Sequence, residues 1–301
     1  MRWKSVLRIG AAVSAVALIS TACGEQQSIG GGGGEQAPEP TVAQDVQFEA
    51  GTTMAELSEA GSITIGTKFD QPLFGQRTLD GQLVGFDTEI GRIIAAGLGI
   101  APEDINWTEA PSAQREDLIE RGDVDMVVAT YTINDARKER VSFAGPYYNA
   151  GQTLMVRSDN TEITGPDSLR ASGARVCTVT GSTPSENIRP YIDEGQLTLF
   201  DTYSQCRDAL GNGQVDVVTT DNVILLGYVS ESEGAFKLVG GQFTEEPYGI
   251  GITKGDVAFC EFINEQLRQA EESGAYAAAW EATAGQAAEE TPSLPELAPC
   301  S

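Results

Sequence analysis

Two stretches of sequence decide the fold, because each leads from a helix end through a glycine turn into a buried strand. They are RGDVDMVV, residues 121–128, and NGQVDVV, residues 212–218. Runs of β-branched apolar residues of this kind are typical of strands buried on both faces. Polar residues follow each run at once. In open α/β sheets ligands bind beyond the carboxyl ends of strands, so both strand ends are candidates for a cleft. Two unrelated buried strands would explain the apolar runs equally well, but not the polar residues that follow them.

Strand and helix patterns alternate from residue 62 onward, which predicts an α/β fold with parallel sheets. Strands are predicted at 62–67, 124–129, 152–157, 174–179, 197–200 and 215–219, with one more around Ile250 and Ile252. Helices are predicted at 86–100, 184–191 and 204–212, and as an amphipathic pair over 256–280 that is interrupted at Ser273 and Gly274.

The first 22 residues have the organisation of a secretory signal peptide. Three basic residues precede an apolar run at 9–19, which is too short to span a bilayer securely. Small residues then lead into Cys23, an arrangement that resembles a bacterial lipobox, in which this cysteine is acylated and becomes the first mature residue. The lipobox usually has Leu where this chain has Ser20. An ordinary cleaved signal peptide is therefore the alternative.

Composition divides the rest of the chain into a tether and a folded region. Residues 23–45 contain a run of five glycines at 30–34 with Gln, Pro and Glu, and no core can be built from them. About 255 residues follow, enough for two lobes of roughly 100 to 150 residues each.

The charge and the missing histidines exclude several classes of function. The net charge is −25, and without residues 1–22 there remain 16 Lys and Arg against 44 Asp and Glu, a net charge of −28. Such a surface repels nucleic acid and anionic membranes, so neither is expected as a partner. The chain has no His. That excludes Ser–His and Cys–His nucleophiles and the usual zinc sites, and we expect no metal and no cofactor.

The stretch ATYTINDAR, residues 129–137, continues into FAGPYY, residues 143–148. It resembles the polar amino-acid-binding proteins that serve ABC importers, solute-binding protein family 3. That family carries a strand, a Thr/Ser-x-Thr/Ser turn, an arginine five residues later and then Phe-x-x-Pro-Tyr-Tyr. Four further stretches agree with it: GTKFDQP at 66–72, GFD at 85–87, TGST at 180–183 and VVTTD at 217–221. The resemblance covers about residues 60 to 285.

This resemblance implies a two-lobe, periplasmic-binding-protein-like α/β fold of type II, with a ligand cleft between the lobes. We expect residues 46–151 and 246–301 to form lobe 1 and residues 152–245 to form lobe 2. The two crossings are expected near 150–156 and 242–250, where Gly, Pro and Tyr interrupt the pattern.

A free α-amino acid is a zwitterion, and the resemblance supplies partners for both of its charges. Arg137 matches the family's arginine, whose guanidinium suits the α-carboxylate as a bidentate donor. A solvated helix cation is the alternative. Asp221 matches the family's acid for the α-ammonium, and Thr130 and Thr132 supply acceptors. The alternative for Asp221 is a helix N-cap before Asn222.

Ser182 and Thr183 belong to a turn that opens a helix. Backbone N–H groups at a helix start favour a carboxylate. Phe69 and Tyr131 could line the aliphatic part of a ligand or could be ordinary core residues.

Two further cations point to a ligand with a second carboxylate. Lys68 follows the first strand, at a position that is basic in glutamate and aspartate binders of the family. Arg115 matches a second such position, and Arg77 is a possible substitute. Plain surface charges are the alternative for both. Tyr203 falls at another family contact position.

The sequence therefore predicts a lipid-anchored extracytoplasmic protein, monomeric, that binds glutamate or aspartate and delivers it to the permease of an ABC importer. An amino-acid-sensing lipoprotein coupled to a signalling partner would use the same pocket residues. A cyclohexadienyl-dehydratase-like enzyme on the same fold would need a proton donor in the cleft.

Four cysteines remain besides Cys23, and an even number outside the cell indicates two disulfides with three possible pairings. Redox-active thiols are the alternative, although no two are spaced as Cys-x-x-Cys. Cys177 and Cys206 both belong to the predicted lobe 2, so we expect them to pair. Cys260 is then expected to pair with Cys300, which would fix the Pro-rich tail to lobe 1.

Overall fold

The computed structural model describes residues 38–288 and 290–301. The predicted signal peptide, the lipidation at Cys23 and most of the predicted tether lie outside the described residues. Residues 38–45 contain neither helix nor strand, and the backbone N–H of Ala43 donates to the carbonyl of Ala96 at 2.9 Å. Across the described residues, no helix is both long and apolar enough to cross a membrane.

The described residues contain thirteen strands and ten α-helices. The strands are β1 Ile63–Thr67, β2 Asp70–Gln71, β3 Gly75–Arg77, β4 Leu83–Val84, β5 Ile105–Glu109, β6 Met126–Thr132, β7 Ser142–Ala150, β8 Gln152–Arg157, β9 Val176–Val179, β10 Leu197–Phe200, β11 Val217–Asp221, β12 Phe236–Val239 and β13 Glu246–Ile252. The helices are α1 Thr53–Ala60, α2 Phe86–Gly97, α3 Arg115–Glu120, α4 Asp135–Lys138, α5 Leu169–Ser172, α6 Thr183–Asn187, α7 Tyr203–Gly211, α8 Asn222–Ser230, α9 Val257–Ser273 and α10 Ala275–Ala282.

The strands form two five-stranded sheets, which confirms the predicted α/β fold of two lobes. The first sheet has the order β5-β1-β6-β13-β7, and the second has the order β10-β9-β11-β8-β12. In each sheet four strands run in one direction and one strand, β13 in the first sheet and β8 in the second, runs antiparallel to both of its neighbours, so the sheets are mixed rather than wholly parallel. The chain passes from the first sheet to the second at Gly151, and it returns through residues 240–245. The exact boundaries of the lobes stay a prediction.

Each central strand is buried on both faces, as its apolar run predicts. In β6, Met126 and Val128 join the core beneath α2 and α9, while Val127 and Tyr131 join a smaller core on the opposite face. All five residues of β11 are buried as well. These two strands are therefore held rigidly, and so are the polar residues at their carboxyl ends.

The strands predicted at 152–157 and 197–200 have the predicted bounds, while two other predictions are corrected. The helix predicted over 184–191 ends at Asn187 and is followed by a 3₁₀ turn at Arg189–Tyr191, because Pro190 has no N–H with which to continue an α-helix. Asp221 is the last residue of β11 rather than a residue beyond it.

Both predicted disulfides are present. Cys177 in β9 pairs with Cys206 in α7, with the Cα atoms 5.6 Å apart. Cys260 in α9 pairs with Cys300, with the Cα atoms 5.8 Å apart. Next to this second bridge the backbone N–H of Ala298 donates to the carbonyl of Gly145 at 2.7 Å. The C-terminal tail is therefore fastened to β7 and α9 of the first lobe.

Candidate functional site

A small cavity of about 10 Å³ lies where the carboxyl ends of β6 and β11 meet. It is lined by most of the predicted ligand-binding residues: Arg115, Thr130, Thr132, Ser182, Thr183, Tyr203 and Asp221. Lys68 lines an adjoining cavity, also of about 10 Å³, that shares Tyr203 with the first. Arg137 does not line either cavity and lies in a neighbouring groove with Thr132 and Thr183. The ligand contacts of all these residues stay predictions.

Asp221 carries a buried carboxylate oxygen that has no partner. The hydroxyl of Tyr248 donates to its Oδ2 at 2.6 Å, whereas Oδ1 has no hydrogen bond in the described part of the chain. The residue stands at the N-cap position of α8, but its side chain caps nothing. Burial, followed by the nearby charge of Glu246, raises the pKa of Asp221 to about 7. A cation placed beside Oδ1 would offset both the cost of burying the charged carboxylate and its repulsion from Glu246.

Lys68 is a buried cation whose hydrogen-bond partner, within residues 38–288 and 290–301, is a neutral hydroxyl. Its Nζ donates to Ser112 Oγ at 2.9 Å, and the residue is 5% exposed. Burial, followed by the positive charge of Arg115, lowers the pKa of Lys68 to about 7. Lys68 is therefore not a plain surface charge. The charges of Asp70 and Asp87 offset only part of this effect, and a carboxylate of a ligand would add an opposite charge in contact with the ammonium.

Arg115 is 2% exposed and is held by backbone carbonyls of its own lobe. Its Nη1 donates to the carbonyl of Ala129 at 3.0 Å and, more weakly, to that of Thr130 at 3.4 Å. Its Nε donates to the carbonyl of Ser112 at 3.3 Å. Because a guanidinium has five N–H groups, donors remain for an anion. Arg115 is also no plain surface charge.

Arg137 connects the two lobes. Its Nη1 donates to the carbonyl of Thr132 at 2.6 Å, and its Nη2 donates across the cleft to the carbonyl of Gly181 at 3.3 Å. Its Nε lies 3.4 Å from Glu116 Oε1. Burial, followed by the charge of Arg115, lowers the pKa of Arg137 to about 10. Arg137 is therefore not a solvated helix cation, but its guanidinium faces the groove rather than the cavity that contains Asp221.

Tyr131 lies beneath both guanidinium groups. Its ring centroid is 4.1 Å from the guanidinium carbon of Arg115 and 5.0 Å from that of Arg137. Attraction between each cation and the ring offsets part of the repulsion between the two arginines. The structure therefore makes Tyr131 a core residue that supports the arginines, not a wall of the cavity. Phe69 lines neither of the two cavities, and its ring lies 4.0 Å from the guanidinium of the exposed Arg77.

Thr130 has a strained backbone at the mouth of the cavity. Its φ of 44° lies in the left-handed region, which β-branched residues rarely adopt. The carboxylate of Asp87 holds it there by accepting from its backbone N–H at 2.8 Å, and Gln71 Oε1 accepts from its hydroxyl at 3.0 Å. Strain of this kind persists where the surroundings enforce it, often at functional sites. Asp87, which is fully buried at the start of α2, belongs to the GFD stretch, but sequence analysis did not predict this role for it.

Glu246 at the start of β13 is a central residue that sequence reasoning missed. Its Oε2 accepts from the hydroxyl of Thr132 at 2.7 Å and from that of Thr183 at 2.6 Å. Its Oε1 accepts from Asn187 Nδ2 at 2.8 Å and from the hydroxyl of Thr244 at 3.0 Å. Glu246 is 114 residues away from Thr132, and no periodicity or motif in the sequence links the two.

The lobes are in direct contact around the cavity, which is a closed arrangement. Gly181, with a φ of +74°, lies so near the first lobe that a Cβ there would come within 2.6 Å of Ala113 Cα. Ser182 is the N-cap of α6, and its hydroxyl accepts from the backbone N–H of Ser185 at 3.3 Å. Tyr203 is 3% exposed, and burial raises its pKa to about 12.

A second contact between the lobes lies at the far side of the cleft, where Asp70 meets α7 and α8. Asp70 Oδ2 accepts from the backbone N–H of Ser204 at 3.0 Å, at the N-terminus of α7. The hydroxyl of Tyr228 in α8 donates to the carbonyl of Asp70 at 2.6 Å. Beside it, a Cβ on Gly227 would come within 2.5 Å of the carbonyl oxygen of Pro72, so only glycine permits this approach. We call Asp70, Ser204 and Tyr228 the latch.

Two α/β lobes closed over buried side chains of both charges define a class, the two-lobe solute-binding proteins. Within that class the chain belongs to the bacterial extracellular solute-binding proteins, family 3, whose sequence profile matches residues 63–282.

Characterised relatives support this membership. The chain is 39% identical over 285 residues to the glutamate-binding protein GluB of Corynebacterium glutamicum, covering 91% of this chain and 89% of that protein. It is 41% identical over 237 residues to the glutamate-binding protein GluB of Corynebacterium efficiens, covering 76% and 80%. It is 36% identical over 225 residues to the ABC transporter glutamine-binding protein GlnH of Bacillus subtilis, covering 74% and 81%.

Solved structures give the same fold. A solute receptor for L-cysteine of Neisseria gonorrhoeae matches with a TM-score of 0.74 and 26% identity over 82% of this chain and 99% of that one. An ancestral arginine-binding protein bound to glutamine matches with a TM-score of 0.69 and 32% identity over 73% and 96%. An ancestral amino-acid-binding protein, described as a precursor of cyclohexadienyl dehydratase, matches with a TM-score of 0.70 and 26% identity over 76% and 98%.

Proposed function

We propose that this protein captures an acidic α-amino acid, glutamate or aspartate, in the cleft and delivers it to the permease of an ABC importer. The observation that carries the proposal is the cavity's unpaired charge. Among the residues that the structure describes, Asp221 Oδ1 is buried and has no hydrogen-bond partner, and Arg115 lines the same cavity. Lys68 lies in the adjoining cavity, where its ammonium donates to the neutral Ser112 Oγ.

This distribution of charge complements an amino acid with two carboxylates. The α-ammonium is assigned to Asp221 with acceptors from Thr130 and Thr132, and the α-carboxylate is assigned to Arg137. Lys68 and Arg115 take the side-chain carboxylate. Since each of these groups is desolvated, an ionic ligand group beside it supplies the charge that burial otherwise leaves uncompensated.

The relatives favour this ligand class without deciding between its members. Two of them are named glutamate-binding proteins, and a third is named a glutamine-binding protein. We assign the acid rather than the amide because only a carboxylate adds a negative charge beside the buried lysine, whereas an amide oxygen accepts a hydrogen bond without compensating the charge. We also propose that the chain is a binding protein and not an enzyme, since these relatives are all named as binding proteins.

A calorimetric titration of the purified protein with each of the twenty amino acids tests the proposal. We expect glutamate or aspartate to bind most tightly and glutamine or asparagine to bind at least tenfold more weakly, a difference of about 1.4 kcal/mol. Tighter binding of glutamine than of glutamate would show that the preferred ligand is an amide and not an acid. Absence of binding by any amino acid would overturn the proposed function.

The site of action proposed here is the outer face of the cell membrane, with a lipid on Cys23. The sequence at 1–23 supports this, and so does membership of an extracellular family. Detergent-phase partitioning of the full chain and of its Cys23→Ala variant tests the anchor. Equal partitioning of the two into the aqueous phase would rule it out.

A further inference from the structure

Glu246 contacts two of the threonine hydroxyls that line the cavity, those of Thr132 and Thr183, and accepts a hydrogen bond from each. Thr132 comes from the end of β6 in the first lobe, and Thr183 comes from the start of α6 in the second. Both hydroxyls lie within 2.7 Å of Glu246 Oε2. Glu246 is 1% exposed, so water does not compete for these contacts.

The direction of these two hydrogen bonds is fixed by chemistry. An ionised carboxylate can only accept hydrogen bonds, and a hydroxyl has a single proton to donate. The two hydroxyls lie 3.3 Å from each other, a longer contact than either makes with Glu246, so both Thr132 and Thr183 donate their hydrogen bond to Glu246. What each hydroxyl presents to the cavity is then its lone pairs, which can accept a hydrogen bond but cannot donate one.

A second carboxylate, that of Asp221, also favours a positively charged ligand group at this end of the cavity. Asp221 lines the same cavity as the two threonines and presents the unpartnered Oδ1. The charge of Glu246 reaches it, because Glu246 is the neighbouring group that most raises the pKa of Asp221. Two buried carboxylates that repel one another favour a cation between them.

We infer that Glu246 is a positioning residue for the ligand's α-ammonium: it turns the hydroxyls of Thr132 and Thr183 into acceptors and so selects for an amino group at this end of the cavity. This role rests on the proposed function, since it requires a ligand that carries an ammonium. Glu246 acts through the threonines and does not need to touch the ligand. The same bonds join residues of both lobes, so the acceptors are brought together when the lobes close.

The test compares glutamate with glutarate, the same dicarboxylate without the amino group, in the full protein and in Glu246→Gln. An amide has one accepting oxygen, so it cannot satisfy the threonine hydroxyls on one side and Asn187 and Thr244 on the other. The parent protein should bind glutamate far more tightly than glutarate. In Glu246→Gln we expect the dissociation constant for glutarate divided by that for glutamate to fall at least tenfold, mainly because glutamate binds more weakly.

Glu245→Gln is the matched control, because it makes the same change at the exposed neighbouring residue and should leave the ratio unchanged. If Glu246→Gln fails to fold, Thr183→Val and Thr183→Ser take its place. The valine variant should lose the preference for glutamate, and the serine variant should keep it. Equal weakening of glutamate and glutarate would show a merely structural Glu246 and overturn the inference alone. A parent protein that binds no amino acid would overturn both this inference and the proposed function.

Discussion

Several charged side chains in the cleft are buried away from water and are not fully paired with opposite charges of the protein. Lys68 and Asp221 both have a pKa of about 7, one lowered and one raised, chiefly because they are buried. Charged groups in such surroundings are normally paired. A site that leaves them incompletely paired is suited to a ligand that carries the complementary charges.

Arg137→Ala should weaken the binding of every amino acid. The guanidinium joins the carbonyls of Thr132 and Gly181 across the cleft, and it is the residue assigned to the α-carboxylate. Loss of one partner of a buried charged pair amounts to about 2–5 kcal/mol. Titration of glutamate, aspartate and glutamine measures the effect. Arg140→Ala is the control, since Arg140 is an exposed cation that pairs with Asp117 and Glu120. A dissociation constant within threefold of the parent's would mean that Arg137 does not bind the α-carboxylate.

Lys68→Met and Arg115→Met should discriminate between acid and amide. We expect each to weaken glutamate and aspartate at least tenfold while glutamine and asparagine lose far less, because only a second carboxylate needs these cations. Arg77→Met is the matched control, because Arg77 is an exposed cation of the same lobe that lies over Phe69. Isothermal titration with both ligand types measures this. Equal losses for glutamate and glutamine would make the two residues structural or α-carboxylate contacts.

The affinity for glutamate should have its maximum near pH 7. Below that pH, Asp221 of the free protein becomes protonated and must lose its proton to hold the ammonium, so affinity falls. Above it, Lys68 of the free protein becomes neutral and must gain a proton to hold the carboxylate, so affinity falls again. Titrations between pH 5.5 and about 8.5 measure both limbs. In Lys68→Met the decline in glutamate affinity above pH 7 should disappear. If it persists, a group other than Lys68 causes that decline.

Sequence reasoning identified cleft residues where a motif follows a strand, and it missed those that reach the cleft from elsewhere. Thr130, Thr132 and Asp221 stand at the ends of β6 and β11, where an α/β sheet places its ligands. Glu246 reaches the cleft only because β13 pairs with β6 in the folded sheet. The sequence was equally consistent with Tyr131 as a residue that lines the ligand and as a core residue, because nothing local to a single aromatic residue in a strand indicates which face of the sheet it occupies.

At the level of elements, long buried strands and amphipathic helices followed from the sequence, whereas short and partly exposed elements did not. The helix pair predicted over 256–280 is present as α9 and α10, with the break at Gly274. β5 was not predicted, because only Ile105 of its five residues is buried and it therefore has no apolar alternation. β2, β3 and β4 have two or three residues each, which is too short for any periodicity.

Tyr228→Phe should destabilise the closed arrangement specifically. The substitution keeps the ring and removes only the hydroxyl that donates to Asp70 from α8, a bond between the lobes. A hydrogen bond of this kind contributes about 1 kcal/mol, so we expect roughly fivefold weaker glutamate binding through faster dissociation. The melting temperature without ligand should change little. Stopped-flow kinetics measure the two rate constants.

Tyr191→Phe is the control for the latch, because Tyr191 packs against Phe243 within the second lobe. It should leave the dissociation rate unchanged. If Tyr228→Phe also leaves that rate unchanged, the latch does not contribute to holding the lobes together.

The whole molecule combines a strongly acidic chain with a few enclosed cations. A net charge of −25 repels an anionic ligand at long range, and salt screens that repulsion beyond about 8–10 Å. Inside the cleft, Lys68 and Arg115 are the cations that we propose to contact the anionic ligand directly. The lobes meet over these charges at Gly181 and at the latch, so a ligand that touches both lobes stabilises the closed form. Composition predicted the charge and the two-lobe size, but not which surfaces of the lobes touch.

The most direct test of this account is the position of the ligand's nitrogen in a crystal structure of the protein with glutamate. We predict that the α-ammonium lies within about 3 Å of Asp221 Oδ1 and of the hydroxyls of Thr132 and Thr183, with the side-chain carboxylate at Lys68. A glutamate bound in the reverse orientation, with a carboxylate beside Asp221, would contradict the account, and so would a glutamate bound outside the cleft.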